Sequence, residues 1–235
     1  MTRSSNTDAS NERLISELAR DLAPVQRLRP PSVRALTWLA VVAAIAIVLA
    51  AIADLSALGQ RISAAPDMWL SVIGSTLTAI LAAVAAFQLS LPDARPKWAL
   101  LPLPAALLWV VASGVGCLRS WFVPGTHVAD LSEARDCLIF IVGLAVPLSA
   151  VLIIMLRRAY PLQPVLTGLI AGLASAAAAA TLLNFFHPFD AAATDLAVHV
   201  FAAAIIIGAN WGFGGRLLAT NFSHHDVTRA IARSN

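Results

Sequence analysis

The sequence predicts an all-α membrane protein, a six-transmembrane-helix bundle with a short cytoplasmic N-terminal amphipathic helix, and three observations lead there. Hydrophobic residues fill 59% of the 235 positions and charged residues 12%, about half the roughly 25% that a soluble domain carries. The apolar residues are gathered into runs near or above the roughly 18 to 20 residues needed to cross a bilayer. Strand-length segments of alternating hydrophobicity, which a membrane barrel requires, are absent from the sequence. The formal net charge of +3 points to basic loops, since no basic patch with interleaved aromatics marks a nucleic-acid surface.

Residues 1–33 are polar and differ in character from the rest of the chain. Their Ser/Asn-rich start has the composition of a disordered segment. From Asn11 to Ala23, Leu14, Ile15, Leu18 and Leu22 recur at helical spacing, with Glu12, Arg13, Glu17, Arg20 and Asp21 on the other face. Pro24 discourages continuation, and Pro30-Pro31 separate this helix from the membrane. So short a helix is marginal alone in water. It rests on the membrane or the bundle, or it docks into a groove on a soluble partner, and the pattern does not choose between them.

The spans lie at about Ala35–Ala53, Met68–Leu91, Trp98–Leu118, Cys137–Leu156, Leu162–Phe186 and Thr194–Leu218, within a membrane domain of residues 34–220. A polar tail, residues 221–235, closes the chain and holds His224-His225-Asp226, read as solvated. Short loops make consecutive spans antiparallel neighbours. Gly168 with Gly172, and Gly208 with Gly212, are spaced for close helix packing, and the run Ala174–Ala180 extends a flat face. Pro102 and Pro104 are placed to kink span three.

Only Arg61, Arg119 and Arg135 fall on one side of the predicted membrane; every other Lys and Arg falls on the other. By the positive-inside rule both termini are cytoplasmic. Trp69 and Trp121 then mark the outer boundary, and Trp38, Trp98 and Tyr160 the inner one, as an aromatic belt would.

The only two cysteines, Cys117 and Cys137, close span three and open span four at the outer face. An oxidising envelope compartment permits a disulfide between them, if their Cα atoms approach within roughly 7 Å. A thiol pair that binds a soft metal or switches redox state is the alternative. His127, His187 and His199 collect on the same side, His199 sharing a helix face with Asp195. No CxxC or HxxxH spacing joins them, and a histidine near a helix end is commonly just hydrogen-bonded at the interface. A Gly-rich phosphate loop, a nucleophile elbow and a second cysteine pair are all missing, and the span centres are almost free of charge. The sequence holds no recognisable active site.

Several stretches, in this order, resemble the NrsF family of membrane anti-sigma factors. They are Leu14-Ile15 with Leu18 and Asp21-Leu22-Ala23-Pro24-Val25, then Arg27-Leu28-Arg29-Pro30-Pro31 before span one. Trp98-Ala99-Leu100-Leu101-Pro102 opens span three and Gly116-Cys117-Leu118-Arg119 closes it. Asp136-Cys137-Leu138 opens span four, and His187-Pro188 with Asp190 precedes span six. The resemblance covers nearly the whole chain. It implies a non-catalytic regulator of the inner membrane whose cytoplasmic N-terminus holds an extracytoplasmic-function sigma factor. On that reading Leu14, Ile15, Leu18, Leu22 and Val25 form the docking face. It also implies that the outer-facing pair Cys117 and Cys137 answers a heavy metal or an oxidant; His187 and His199, read from the residues as lying on the same side, are further candidate ligands. No obligatory cofactor is implied, only a soft or transition metal ion as a signal. The residues alone equally permit a small transporter or thiol-redox protein for an envelope metal or disulfide substrate, or a structural membrane protein stapled by a disulfide.

Overall fold

The computed structural model describes residues 3–20, 28–56, 58–59, 66–122, 131–185 and 193–219, without the side chains of 3–10, 18, 66–68, 116–122, 131–134, 193–199 and 219. The first helix, α1, runs Arg3–Arg20. The Ser/Asn-rich start expected to be disordered is therefore helical, and the helix begins well before Asn11. No Pro or Gly stands between Arg3 and Ala23 to interrupt it.

Among the described residues six helices are long and apolar enough to cross a membrane, as the fold class predicted. Span one is α2, Pro31–Ile52. Pro31 occupies its first turn, where a missing N–H costs nothing and the fixed φ favours the helix, so the proline pair starts this span as well as ending the segment before it. Its 22 residues reach roughly 33 Å at 1.5 Å per residue. Span two is α3, Pro66–Leu89. Span three opens as a 3₁₀ turn, Pro96–Leu100, and continues as α4, Leu103–Phe122. Pro102 and Pro104 thus sit at a break in helix type near the start of the span. Span four is α5, Leu131–Arg157, with Pro147 in its interior. Span five is α6, Pro164–Leu183. Span six is α7, Ala193–Ala209, which passes through a π turn, Asn210–Gly214, into α8, Gly215–Ala219.

Helix α6 is the centre of the bundle. It packs on α3, α5 and α7 and on the π turn and α8. Thirteen of its residues are buried, among them Gly168, Gly172 and every alanine from Ala176 to Ala179. Small side chains let backbones approach, and in lipid that approach supplies the dispersion contacts that hold helices together. The facing surface of α3 is equally small, with Ala79, Ala82, Ala83, Ala85 and Ala86 buried. A Cβ on Gly168 would lie 2.6 Å from the Asn210 carbonyl oxygen, and one on Gly172 would lie 2.9 Å from Ile207 Cα. Between α3 and α4, a Cβ on Gly74 would lie 2.7 Å from the Trp109 backbone nitrogen.

Three sequence expectations are corrected here. Gly208 and Gly212 do not pack: a Cβ added at either would meet nothing within 4 Å. The π turn brings Asn210, which lies between them, to the α6 side instead. Spans three and four are not close neighbours among the described residues, because α4 packs on α3 and α7 while α5 packs on α6 and α7. The connection from Phe122 to Leu131 has a reach of roughly 30 Å when extended, ample for helices that are not adjacent. Trp38 is not part of an interfacial belt. It is fully buried, and its indole Nε1–H donates to the Leu148 carbonyl at 3.1 Å. Trp69, Trp98 and Tyr160 are exposed as a belt requires.

Polar side chains stitch the spans at a few points. Thr181 Oγ1 donates to Ser75 Oγ at 3.0 Å, Ser71 and Ser113 hydroxyls meet at 3.0 Å, and Asn210 Nδ2 donates to Ser149 Oγ at 3.0 Å. The hydroxyl of Thr167, fully buried on α6, lacks a partner among the described residues. We expect Gly172→Leu to lower stability by about 1–3 kcal/mol through overpacking, with Gly208→Leu close to neutral, when unfolding is followed in detergent. In the same assay Thr167→Val should be neutral or stabilising, since it removes an unsatisfied hydroxyl at nearly constant shape.

Candidate functional site

Two regions carry the groups that a regulator could use, one ahead of the bundle and one at its far end. On α1 the described side chains from Asn11 to Arg20 are all exposed. Leu14 is 57% exposed and Ile15 61%, and Leu18 stands one turn beyond Leu14 with its side chain outside the description. Large apolar side chains in open solvent are ordinary singly, but adjacent on one face of a helix they form an unsatisfied stripe. Leu22 and Val25, the other predicted docking residues, lie outside the described residues.

The chain then enters span one, and there the structure places a group that sequence reasoning used only as one charge among many. Arg34 is 7% exposed. Its guanidinium donates to Ser90 Oγ at 3.2 Å and to the Met155 carbonyl oxygen, and it lies over the Phe87 ring with its Cζ 4.9 Å from the centroid. Among the described residues it meets no carboxylate. The compensation comes from helix ends. Ser90 follows the last residue of α3, and Met155 lies in the last turn of α5. The last four carbonyls of a helix have no intrahelical donor, and the C-terminus carries about half a negative charge. The turns after α5 take two of those carbonyls, since Ala159 N–H donates to Leu156 and Tyr160 N–H to Arg157. Arg34 takes that of Met155. A cation at two converging C-termini is stabilised without a salt bridge, and the aromatic face adds to it.

Alternation of six spans puts the start of α2 and the ends of α3 and α5 on one side of the bundle, so Arg34, Ser90 and Met155 meet there by topology. The sequence carries one hint: a lone arginine three residues past a helix-starting proline, inside an otherwise apolar run. Nothing in the sequence names Ser90 or Met155 as its partners.

At the opposite end, Cys137 is 6% exposed, in a cluster with Ile141 and Ala145 of α5, Ala176, Ala179 and Leu183 of α6, and Ala202 and Ile206 of α7. Cys117 and His199 are on α4 and α7 with side chains outside the description, and His127 and His187 lie outside the described residues. Among the described residues no three His, Cys, Asp or Glu side chains gather into a metal site. The structure therefore brings Arg34 to the last turn of span four and Cys137 to its first turns, on the same helix.

Trp38→Phe should cost about 1 kcal/mol, the net worth of one hydrogen bond, when unfolding is followed in mixed micelles. A larger loss would mean that the indole shape, not the bond to Leu148, holds span one.

A family model with the description NrsF, negative regulator of sigma F, matches residues 18–219. No curated protein and no solved structure matches the chain.

Proposed function

The chain belongs to the NrsF family of negative regulators of a sigma factor, and from that premise we propose that it is an anti-sigma factor of the inner membrane which holds its partner through α1. The partner is a sigma factor of the extracytoplasmic-function type, and both termini face the cytoplasm. The observation that carries the docking role is the exposed pair Leu14 and Ile15 on a helix set ahead of the membrane domain. A helix-in-groove interface uses such a stripe. Each leucine or isoleucine buried in a partner groove contributes about 1.5–3 kcal/mol, so Leu14, Ile15, Leu18 and Leu22 together are ample for a stable complex even after the cost of association. Residues 1–33 are the docking segment, and Val25 extends the same stripe.

Release is triggered from the outer face. Cys117 and Cys137 respond to a soft metal or an oxidant, and His187 and His199 lie near enough in sequence to the same face to add ligands. Cys137 is buried, so a metal or oxidant that reaches its sulfur must first open the outer end of spans four to six. Signal and partner then compete through the bundle's conformation. By linkage, sigma binding weakens the response to the signal by the same factor as the signal weakens sigma binding, and a coupling of about 1–3 kcal/mol is ordinary.

Leu18→Asp should weaken sigma-factor capture by the full-length protein about 100-fold or more, since a carboxylate on the docking face must be desolvated or left unpaired. Undiminished co-purification of a sigma factor with that variant sinks the docking role. Cys117→Ser and Cys137→Ser should each keep the sigma factor bound when cells meet cadmium or peroxide, read by pull-down before and after exposure. A normal response in either variant removes the thiol pair from the mechanism.

A further inference from the structure

Span one is attached to the bundle in an unusual way. Its only buried residues are Arg34, Ala35 and Trp38, all within its first turns. Farther along, Val41, Ile47, Val48 and Ile52 are exposed, as lipid-facing side chains would be. Among the described residues, its side-chain hydrogen bonds to other spans come from Arg34 and Trp38 alone, and two of the three acceptors are carbonyls of span four: Met155 for Arg34 and Leu148 for Trp38. Leu39, Val42, Ile45, Ala46 and Leu49 pack partly buried against the core farther along, but the fully buried residues and the side-chain hydrogen bonds to other spans sit at the end of span one that joins the N-terminal segment. The Arg34 amide also donates to the Pro30 carbonyl at 3.1 Å, which ties the direction of the entering chain to the same turn.

We infer that Arg34 is the positioning residue through which span four sets the docking segment, so that a movement at the Cys137 end is transmitted to the N-terminus along one helix. This rests on the docking role proposed above and supplies its route. Span four runs without a break from Leu131 to Arg157, and Cys137 and Met155 are separated by roughly 27 Å at 1.5 Å per residue. Pro147 lies between them, and its missing N–H leaves a natural pivot. Leu148, the acceptor for Trp38, is the next residue. A tilt of the outer half of span four therefore pivots where Trp38 holds, and swings the last turn where Arg34 holds. Arg34 bridges two helix ends at once, Ser90 after α3 and Met155 in α5. It cannot keep both partners if those ends separate, and loss of either changes how the chain enters span one.

The test uses the full chain in lipid nanodiscs with Cys117→Ser, which leaves Cys137 as the sole thiol, under reducing conditions. The probes are a maleimide and the sigma factor that co-purifies with the full-length chain. Sigma binding favours the resting bundle, in which Cys137 is buried, and should slow labelling about fivefold or more, the lower range of ordinary coupling. Arg34→Gln should still bind the sigma factor but show the same labelling rate with and without it. Arg34→Lys, which keeps the charge and a donor, should restore part of the difference. If Arg34→Gln fails to insert, Trp38→Phe replaces it and should reduce the difference. A sigma-dependent slowing that survives Arg34→Gln, or that is absent from the parent chain while the sigma factor binds, overturns the inference and leaves the docking role standing. Failure of the parent chain to bind any sigma factor overturns the docking role itself, and the inference with it.

Discussion

The bundle depends on the closeness with which α6 meets its neighbours. Apolar side chains gain nothing by leaving lipid for another apolar surface, so helices inside a membrane need contact density to associate. Gly168 and Gly172 provide it at the crossing with span six, where the backbone of Asn210 and the Ile206–Ile207 turn lie against them. The alanines of α3 and α6 provide it at the second interface. A single added methyl group would meet backbone atoms at several of these points, and a backbone cannot rotate out of the way as a side chain can. The other spans take their places from this centre: α4 through Gly74, and α5 and α7 through the small face of α6.

Polar contacts play a different part. They are few, and each joins a particular pair of spans: Ser75 with Thr181, Ser71 with Ser113, Ser149 with Asn210, Arg34 with Ser90 and Met155. In hydrocarbon a polar group without a partner is costly, so such pairs select one arrangement among several that small residues alone would tolerate. Span one shows the consequence most clearly. With most of its length facing outward, it is located by a guanidinium and an indole, both directed at carbonyls. On the docking role proposed above, a helix whose buried anchors lie at one end can change its tilt when span four moves.

For the docking and sensing roles proposed above, the physical problem is to connect a surface outside the membrane domain to events at the bundle's other end. Among the described residues Arg34 is the one charged side chain that is buried. What the bundle offers is rigid helices with defined end contacts. Span four has both: a buried cysteine near its first turns, and two carbonyls that hold span one, Leu148 mid-helix and Met155 in the last turn.

Much of this was legible in the chain. Six spans, the amphipathic Leu14–Ile15–Leu18 stripe and the importance of Gly168 and Gly172 follow from hydropathy and spacing, because a bilayer imposes length and composition on whatever crosses it and only glycine or alanine permits the closest crossings. The same reasoning assigned Gly208 and Gly212 a packing role they lack, since spacing cannot reveal the π turn that brings Asn210 to the interface. It read Trp38 as a belt residue because depth alone places a tryptophan near the boundary, whereas its rotation about the helix axis decides between lipid and core. It counted Arg34 only as a positive charge. Local sequence determines which segments cross the membrane and which faces are small; which spans meet, and which carbonyls a lone arginine finds, depends on helix ends far apart in the chain that only the folded bundle brings together.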